Sequence, residues 1–170
     1  TNHALMLSSS VAPEETVRAA ALASAAGFSR IWLTEDYYRK AGFSSCGAAL
    51  AATQSIRVGL GVVSMYLRHP TTLAMEIATL ERMYGTDRVP ERAIGSLRDR
   101  LRVLKELLAG ESVTWRDEFD QLTDAKLQYP AAGTPRIWLA AEGPQMLALA
   151  RDHADGVVFS AFSTVEYVRW

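Results

Sequence analysis

Two adjacent acids, Glu35 and Asp36, close an apolar run that begins at Ile31 (IWLTED). Carboxylates at the end of a buried strand can accept hydrogen bonds from a ring or hydroxyl and can carry protons. A second segment, Arg57 to Val63 (RVGLGVV), holds Gly61 and Val62 late in its course. Glycine lets a flat ligand approach the backbone and accepts dihedrals that other residues resist. Ser64, Tyr66, Arg68 and His69 follow on the next loop. Ser64 and Arg68 are candidates to touch such a ligand, whereas a lone histidine before proline reads as a structural hydrogen-bonder. The third segment is Glu142-Gly143-Pro144-Gln145, between an apolar run and a helical stretch. A helix start offers unbonded N–H groups and the positive end of the macrodipole, a ready anion site. Gly143 permits close approach, the Gln145 N–H would face a phosphate, and Pro144 presets the first turn.

Other chemistries find little support. His3, His69 and His153 are scattered, with no metal-ligand spacing. No G-x-S-x-G nucleophile motif occurs. The single cysteine, Cys46, lies in an alanine-rich stretch and reads as a small buried hydrophobe. It excludes an internal disulfide and fits a reducing compartment, so a cytoplasmic location is the expectation. A net charge of −1, from 18 bases and 19 acids, gives no footprint for nucleic acid or an anionic membrane. No apolar run reaches the ~18 residues of a membrane span. The first residues read as a strand rather than a signal peptide.

The elements that must position these residues alternate between strand and helix. Apolar, unalternating runs at 3–9, 31–34, 57–63, 137–140 and 157–160 suit strands covered on both faces, as in a parallel sheet. Helical patterns lie between them. Ile94, Leu97, Leu101, Leu104 and Leu108 repeat at spacings of three and four, which predicts one amphipathic helix. Residues 112–130 keep neither period and read as a surface excursion, such as a hairpin. The whole chain, 1–170, reads as one α/β domain with a parallel sheet. The pattern leaves open whether that sheet is a barrel or doubly wound, although no G-x-G-x-x-G follows a strand.

Four segments resemble the luciferase-like monooxygenases and their deazaflavin-dependent relatives: IWLTEDYY (31–38), VGLGVVSMYLRHP (58–70), TTLAMEIATLERM (71–83) and IWLAAEGPQMLALA (137–150). The resemblance implies a TIM-type (β/α)₈ barrel with its site at the C-terminal ends of the strands. It implies hydride transfer between coenzyme F420 (a deazaflavin) or a flavin and a small organic substrate, in a homodimer. An oxygen-activating monooxygenase using FMN is the neighbouring alternative. By resemblance, Glu35 and Asp36 occupy the place of an Asp-His pair, so a catalytic imidazole is missing. Gly61–Val62 would be a non-prolyl cis peptide behind the ring, and the turn at Glu142 to Gln145 would hold the cofactor phosphate.

The sequence also departs from the family. After the helix that ends near Met83, the chain passes almost directly to the next helical pattern, without the expected fourth strand. The seventh and eighth strands are also absent from a sequence of 170 residues, against ~250 for a complete barrel. The expectation is an incomplete barrel, with residues missing between Met83 and Glu91. The alternative from another class is a reduced barrel that binds flavin without turnover.

Overall fold

The computed structural model describes residues 3–64, 67–85, 87, 91–95, 98–117, 120–159 and 163–169. The elements in order are β1 (Ala4–Leu7), α1 (Pro13–Ala25), β2 (Arg30–Leu33), α2 (Gly42–Ala51), β3 (Arg57–Ser64) and α3 (Pro70–Tyr84). Then come β4 (Glu91–Gly95), α4 (Arg98–Leu108), β5 (Val113–Arg116), β6 (Gln121–Ala125), β7 (Arg136–Ala140), α5 (Pro144–His153), β8 (Gly156–Val158) and α6 (Val165–Arg169). No described helix is long and apolar enough to cross a membrane.

Six strands form one sheet in the order β1-β2-β3-β4-β7-β8, and every pairing is parallel. All five apolar runs singled out from the sequence are among them. The monotonic order decides between the two α/β architectures. Each crossover moves in the same direction, so right-handed connections place every helix on one face. A doubly wound sheet reverses its order and carries helices on both faces. The arrangement is that of part of a (β/α) barrel, with β1 and β8 as edges among the described residues.

The expected absence of a fourth strand is corrected here. β4 at Glu91–Gly95 pairs with β3 on one side and β7 on the other. Ile94 therefore belongs to a strand, and α4 begins only at Arg98. The 3/4 spacing joined Ile94 to the helix because a short apolar run matches either period. The segment where residues were expected to be missing, between Met83 and Glu91, lies largely outside the described residues. The excursion at 112–130 contains an antiparallel hairpin, β5–β6.

Alternation along the strands sorts their side chains. Ile31, Leu33, Leu60, Ile137 and Leu139 are fully buried with Ala20, Ala23, Leu73, Ile77, Leu101 and Leu104 of the helices. The opposite, concave face carries Met6, Trp32 and Gly59 in one register, and Trp138 beside Gly156 in another. Large and small residues alternate there for a steric reason. A Cβ on Gly59 would lie 2.6 Å from the Trp32 ring, and one on Gly156 would lie 2.8 Å from Trp138. The two indoles meet at 6.4 Å between centroids.

Candidate functional site

The C-terminal ends of the parallel strands gather the candidate residues on one rim. The loop after β2 carries Glu35 and Asp36, the end of β3 carries Val62 and Ser64, and the turn after β7 carries Glu142 and Gly143. Two hollows open on this rim. The first, of about 430 Å³, is lined by Val62, Ala140, Ala141, Glu142, Met146, Val158 and Phe159. The second, of about 280 Å³, is lined by Glu35, Asp36, Tyr37, Arg39, Lys40, Ala41, Leu67 and Arg68.

The first hollow is apolar at its base and ends at a helix start. The Gly61–Val62 peptide is cis, as the resemblance implies, and the pairing of β3 with β4 shifts register between Gly61 and Val63. Val62 is thereby left exposed beside the hollow while Gly61 and Val63 are buried. Gly143 adopts φ +80°, and a Cβ there would meet nothing within 4 Å. Its carbonyl accepts the Leu147 N–H at 3.1 Å, which closes the first turn of α5. The N–H groups of Gln145 and Met146 precede that bond and have no acceptor within the helix. Two positions below Ala140 on the same strand face, the buried Trp138 Nε1 has no hydrogen-bond partner among the described residues.

The second hollow is organised by ion pairs. Arg68 donates to both Glu35 oxygens, at 2.6 and 2.8 Å, and Glu35 Oε2 also accepts the Gly42 N–H at 2.6 Å. Burial raises the Glu35 pKa, but the Arg68 guanidinium and the Gly42 N–H outweigh it and hold the carboxyl below its ordinary value. Glu76 approaches the same guanidinium from α3. Its Oε2 lies 3.2 Å from Arg68 Nε, an ion-pair contact out of hydrogen-bonding alignment. Burial, only partly offset by Arg68, leaves Glu76 above its ordinary pKa. The bidentate bond to Glu35 more than offsets burial at Arg68 and keeps it charged. The guanidinium also lies 5.2 Å from the Phe43 ring centroid. Asp36 has a different partner, the Ser9 hydroxyl, which donates to its Oδ2. The Ser9 N–H donates to Thr34 Oγ1 at 2.6 Å, so the ends of β1 and β2 hold Asp36 together.

The structure thus brings Glu35 to Arg68 and Val62 to Glu142, pairs that lie far apart in sequence. It does not place Arg68 in the first hollow. His69 accepts the Thr71 N–H through Nδ1 at 3.2 Å, as a structural cap, and its Nε2 lies 3.7 Å from Asp120. Sequence reasoning missed Ser9, Lys40, Glu76 and Met146. Only Glu76 left a signal, as an acid among the apolar positions Leu73, Ile77 and Leu80 of its helix.

A family model described as luciferase-like monooxygenase matches the chain in two segments, residues 1–88 and 81–170. Their overlap falls where the sequence reading expected missing residues. The chain is 28% identical over 159 residues to a 5,10-methylenetetrahydromethanopterin reductase of Methanolobus tindarius, covering 84% of this chain and 48% of that protein. It is 29% identical over 177 residues to an F420-dependent hydroxymycolic acid dehydrogenase of Mycobacterium tuberculosis, covering 87% and 49%. The chain therefore spans about half the length of the curated relatives it matches. In fold it is similar to the coenzyme F420 dependent tetrahydromethanopterin reductase of Methanopyrus kandleri. That match has a TM-score of 0.82 at 20% identity, over 94% of this chain and 55% of the other.

Proposed function

This chain belongs to the luciferase-like monooxygenase family, and from that premise we propose that it is the major part of an oxidoreductase site that holds coenzyme F420. The observation that carries this reading is the first hollow, where Val62 and Glu142 line one cavity of about 430 Å³. Both were chosen from sequence as cofactor contacts, and the fold brings their distant segments to one mouth. The fit is chemical as well as spatial. An apolar base of Ala140, Val158 and Phe159 suits a flat ring, while the open approach at Gly143 suits a phosphate.

When bound, the deazaflavin supplies hydride chemistry toward a small organic substrate. The chain's own residues position and exclude. Val62 would back the ring, and the N–H groups of Gln145 and Met146 would take the phosphate. Glu142 stands at the rim between them. Asp36, oriented by Ser9, is the group best placed to move a proton on the neighbouring side of the rim. Glu35 is held ionised by Arg68, which suits it to accept hydrogen bonds and to fix the loop. The preference for a deazaflavin over FMN rests on the reductase and dehydrogenase named above and on the loop after β3. The same mouth would admit FMN in an oxygen-activating enzyme. A non-catalytic barrel loses its main sequence argument, because β4 is present. A homodimer in the cytoplasm completes the proposal.

Titration of the purified protein with coenzyme F420 and with FMN, read by visible absorbance and melting temperature, tests the assignment. Saturable binding of F420 with an upward melting shift is expected. A shift with FMN alone would favour the monooxygenase reading, and no shift with either would refute a cofactor site in this chain.

A further inference from the structure

Lys40 lines the second hollow and forms no ion pair with the described residues. Lys40 is 8% exposed, yet its ammonium makes one hydrogen bond, 2.7 Å long, to the hydroxyl of Thr16. That hydroxyl is neutral and is already committed as a donor to the Ala12 carbonyl at 3.1 Å. No carboxylate of the described residues lies within ion-pair distance of Lys40. The acids that line the same hollow are occupied elsewhere, Glu35 by Arg68 and Gly42 and Asp36 by Ser9. Burying an ammonium without a counter-charge is costly, and burial does lower the Lys40 pKa. Two of its three N–H donors remain for a ligand.

Tyr37 and Leu67 line the same hollow, and Tyr38 adjoins Tyr37. Tyr37 is 65% exposed, Tyr38 104% and Leu67 43%, and the two tyrosine rings lie 6.0 Å apart. Tyr38 adopts φ +63°, a left-handed conformation uncommon outside glycine. The backbone cost of that conformation holds a large side chain fully in solvent, a pattern that clusters at binding loops. Arg39 lies between Tyr38 and Lys40 and lines the hollow too. A lining that holds Lys40 and Arg39 beside Tyr37 and Leu67 complements a molecule with an apolar body and one anionic head.

We propose that the hollow between the β2–α2 and β3–α3 loops is the substrate-recognition subsite and takes an apolar or aromatic molecule through its carboxylate or phosphate head, with Lys40 binding the anion and Tyr37 and Leu67 covering the body. The substrate role rests on the cofactor assignment above, because the two hollows share one rim. The binding claim stands on its own geometry.

The test uses 4-phenylbutyrate, 4-phenylbutyl phosphate and the neutral 4-phenylbutyramide as probes. Binding is followed by calorimetry and by amide NMR shifts at Tyr37 to Ala41 and at Leu67. The two anions should bind at least about tenfold more tightly than the amide, as expected for one charge-assisted hydrogen bond. Preference between them identifies the head as carboxylate or phosphate. Lys40→Met should remove the advantage of the anions, and Lys40→Arg should restore much of it. Should Lys40→Met fail to fold, Tyr37→Ser provides a second route and should weaken all three probes together. Equal affinity for anions and amide in the wild type, or shifts confined to other segments, would overturn the proposal. F420 is titrated into the same samples. Anion binding without F420 binding sustains the binding claim and refutes the cofactor reading together with the substrate role; F420 binding without anion binding sustains the cofactor reading and refutes the subsite.

Discussion

Glu35 and Arg68, 33 residues apart, face each other through two parallel hydrogen bonds of 2.6 and 2.8 Å. The pair ties the loop after β2 to the loop after β3, and the Gly42 N–H anchors the same carboxylate to the start of α2. The side chains are only 9% and 17% exposed, so solvent screens the pair weakly.

Glu35→Gln keeps the shape but removes the charge. A buried ion pair broken on one side costs ~3–5 kcal/mol, and Glu76 remains on Arg68, so a loss of about 2–3 kcal/mol is expected. The pH dependence has a definite sign. The folded carboxyl sits below its ordinary value of 4.5. Its contribution is complete above that value and is lost as pH falls through the depressed folded one. Denaturant melts from pH 3 to pH 7 should show the wild-type advantage constant above about pH 5 and shrinking below about pH 4.5. An advantage that grows in acid would contradict the pairing.

Arg100 fastens the hairpin to α4. It is 3% exposed, and its Nη2 lies 2.6 Å from carboxylates of both Asp117 and Asp120. Its guanidinium also lies 5.5 Å from the Trp115 ring centroid. Arg100→Met should cost about 2–4 kcal/mol, because it leaves two carboxylates facing each other. Hydrogen exchange should locate the loss in β5 and β6 first. Uniform deprotection across β1–β3 would show that the hairpin is not a separable unit.

The Trp32–Gly59 contact predicts a coupled pair. Gly59→Ala forces a methyl to 2.6 Å from the indole and should cost about 1–3 kcal/mol by overpacking. Trp32→Leu should relieve that clash, so the double variant should be more stable than the sum of the two single changes implies. Simple additivity in urea melts would show that the crowding lies elsewhere.

The strands were legible because each covered run is uniformly apolar, as Ile31 to Leu33 and Ile137 to Leu139 illustrate. β4 was not. Its run, Glu91–Gly95, starts with two charges and stands three residues before a helix, so Ile94 fitted the helical spacing equally well. The strand exists because β3 and β7 offer ladders on both sides, a tertiary cause invisible to local pattern. At the site, the turn at Gly143 and the cis peptide at Gly61 were legible through glycine and the family resemblance. The pairing of Glu35 with Arg68 was not, since nothing in either segment specifies its distant partner. Lys40 was hidden for another reason: a lysine beside an arginine in a loop reads as solvated, and only the packing of α1 against α2 buries it.

The central claim is that a cofactor phosphate sits at the start of α5, and matched glycine variants test it most directly. Gly143 and Gly27 share φ values of +80° and +82°, and a Cβ at either would meet nothing within 4 Å. Alanine should strain the backbone at both positions by about 1–3 kcal/mol, and Gly143, at φ +80° and ψ +160°, lies in a region nearly confined to glycine. Only Gly143 lies on the mouth; Gly27 ends α1 at the opposite end of the sheet. Coenzyme F420 and FMN are titrated into wild type, Gly143→Ala and Gly27→Ala, with melting curves alongside. Gly143→Ala should weaken the bound cofactor roughly tenfold to a hundredfold, the equivalent of ~1.5–3 kcal/mol for one charge-assisted hydrogen bond. Gly27→Ala should bind like wild type although it too melts at a lower temperature. Equal affinity in all three proteins would place the phosphate elsewhere and contradict the account.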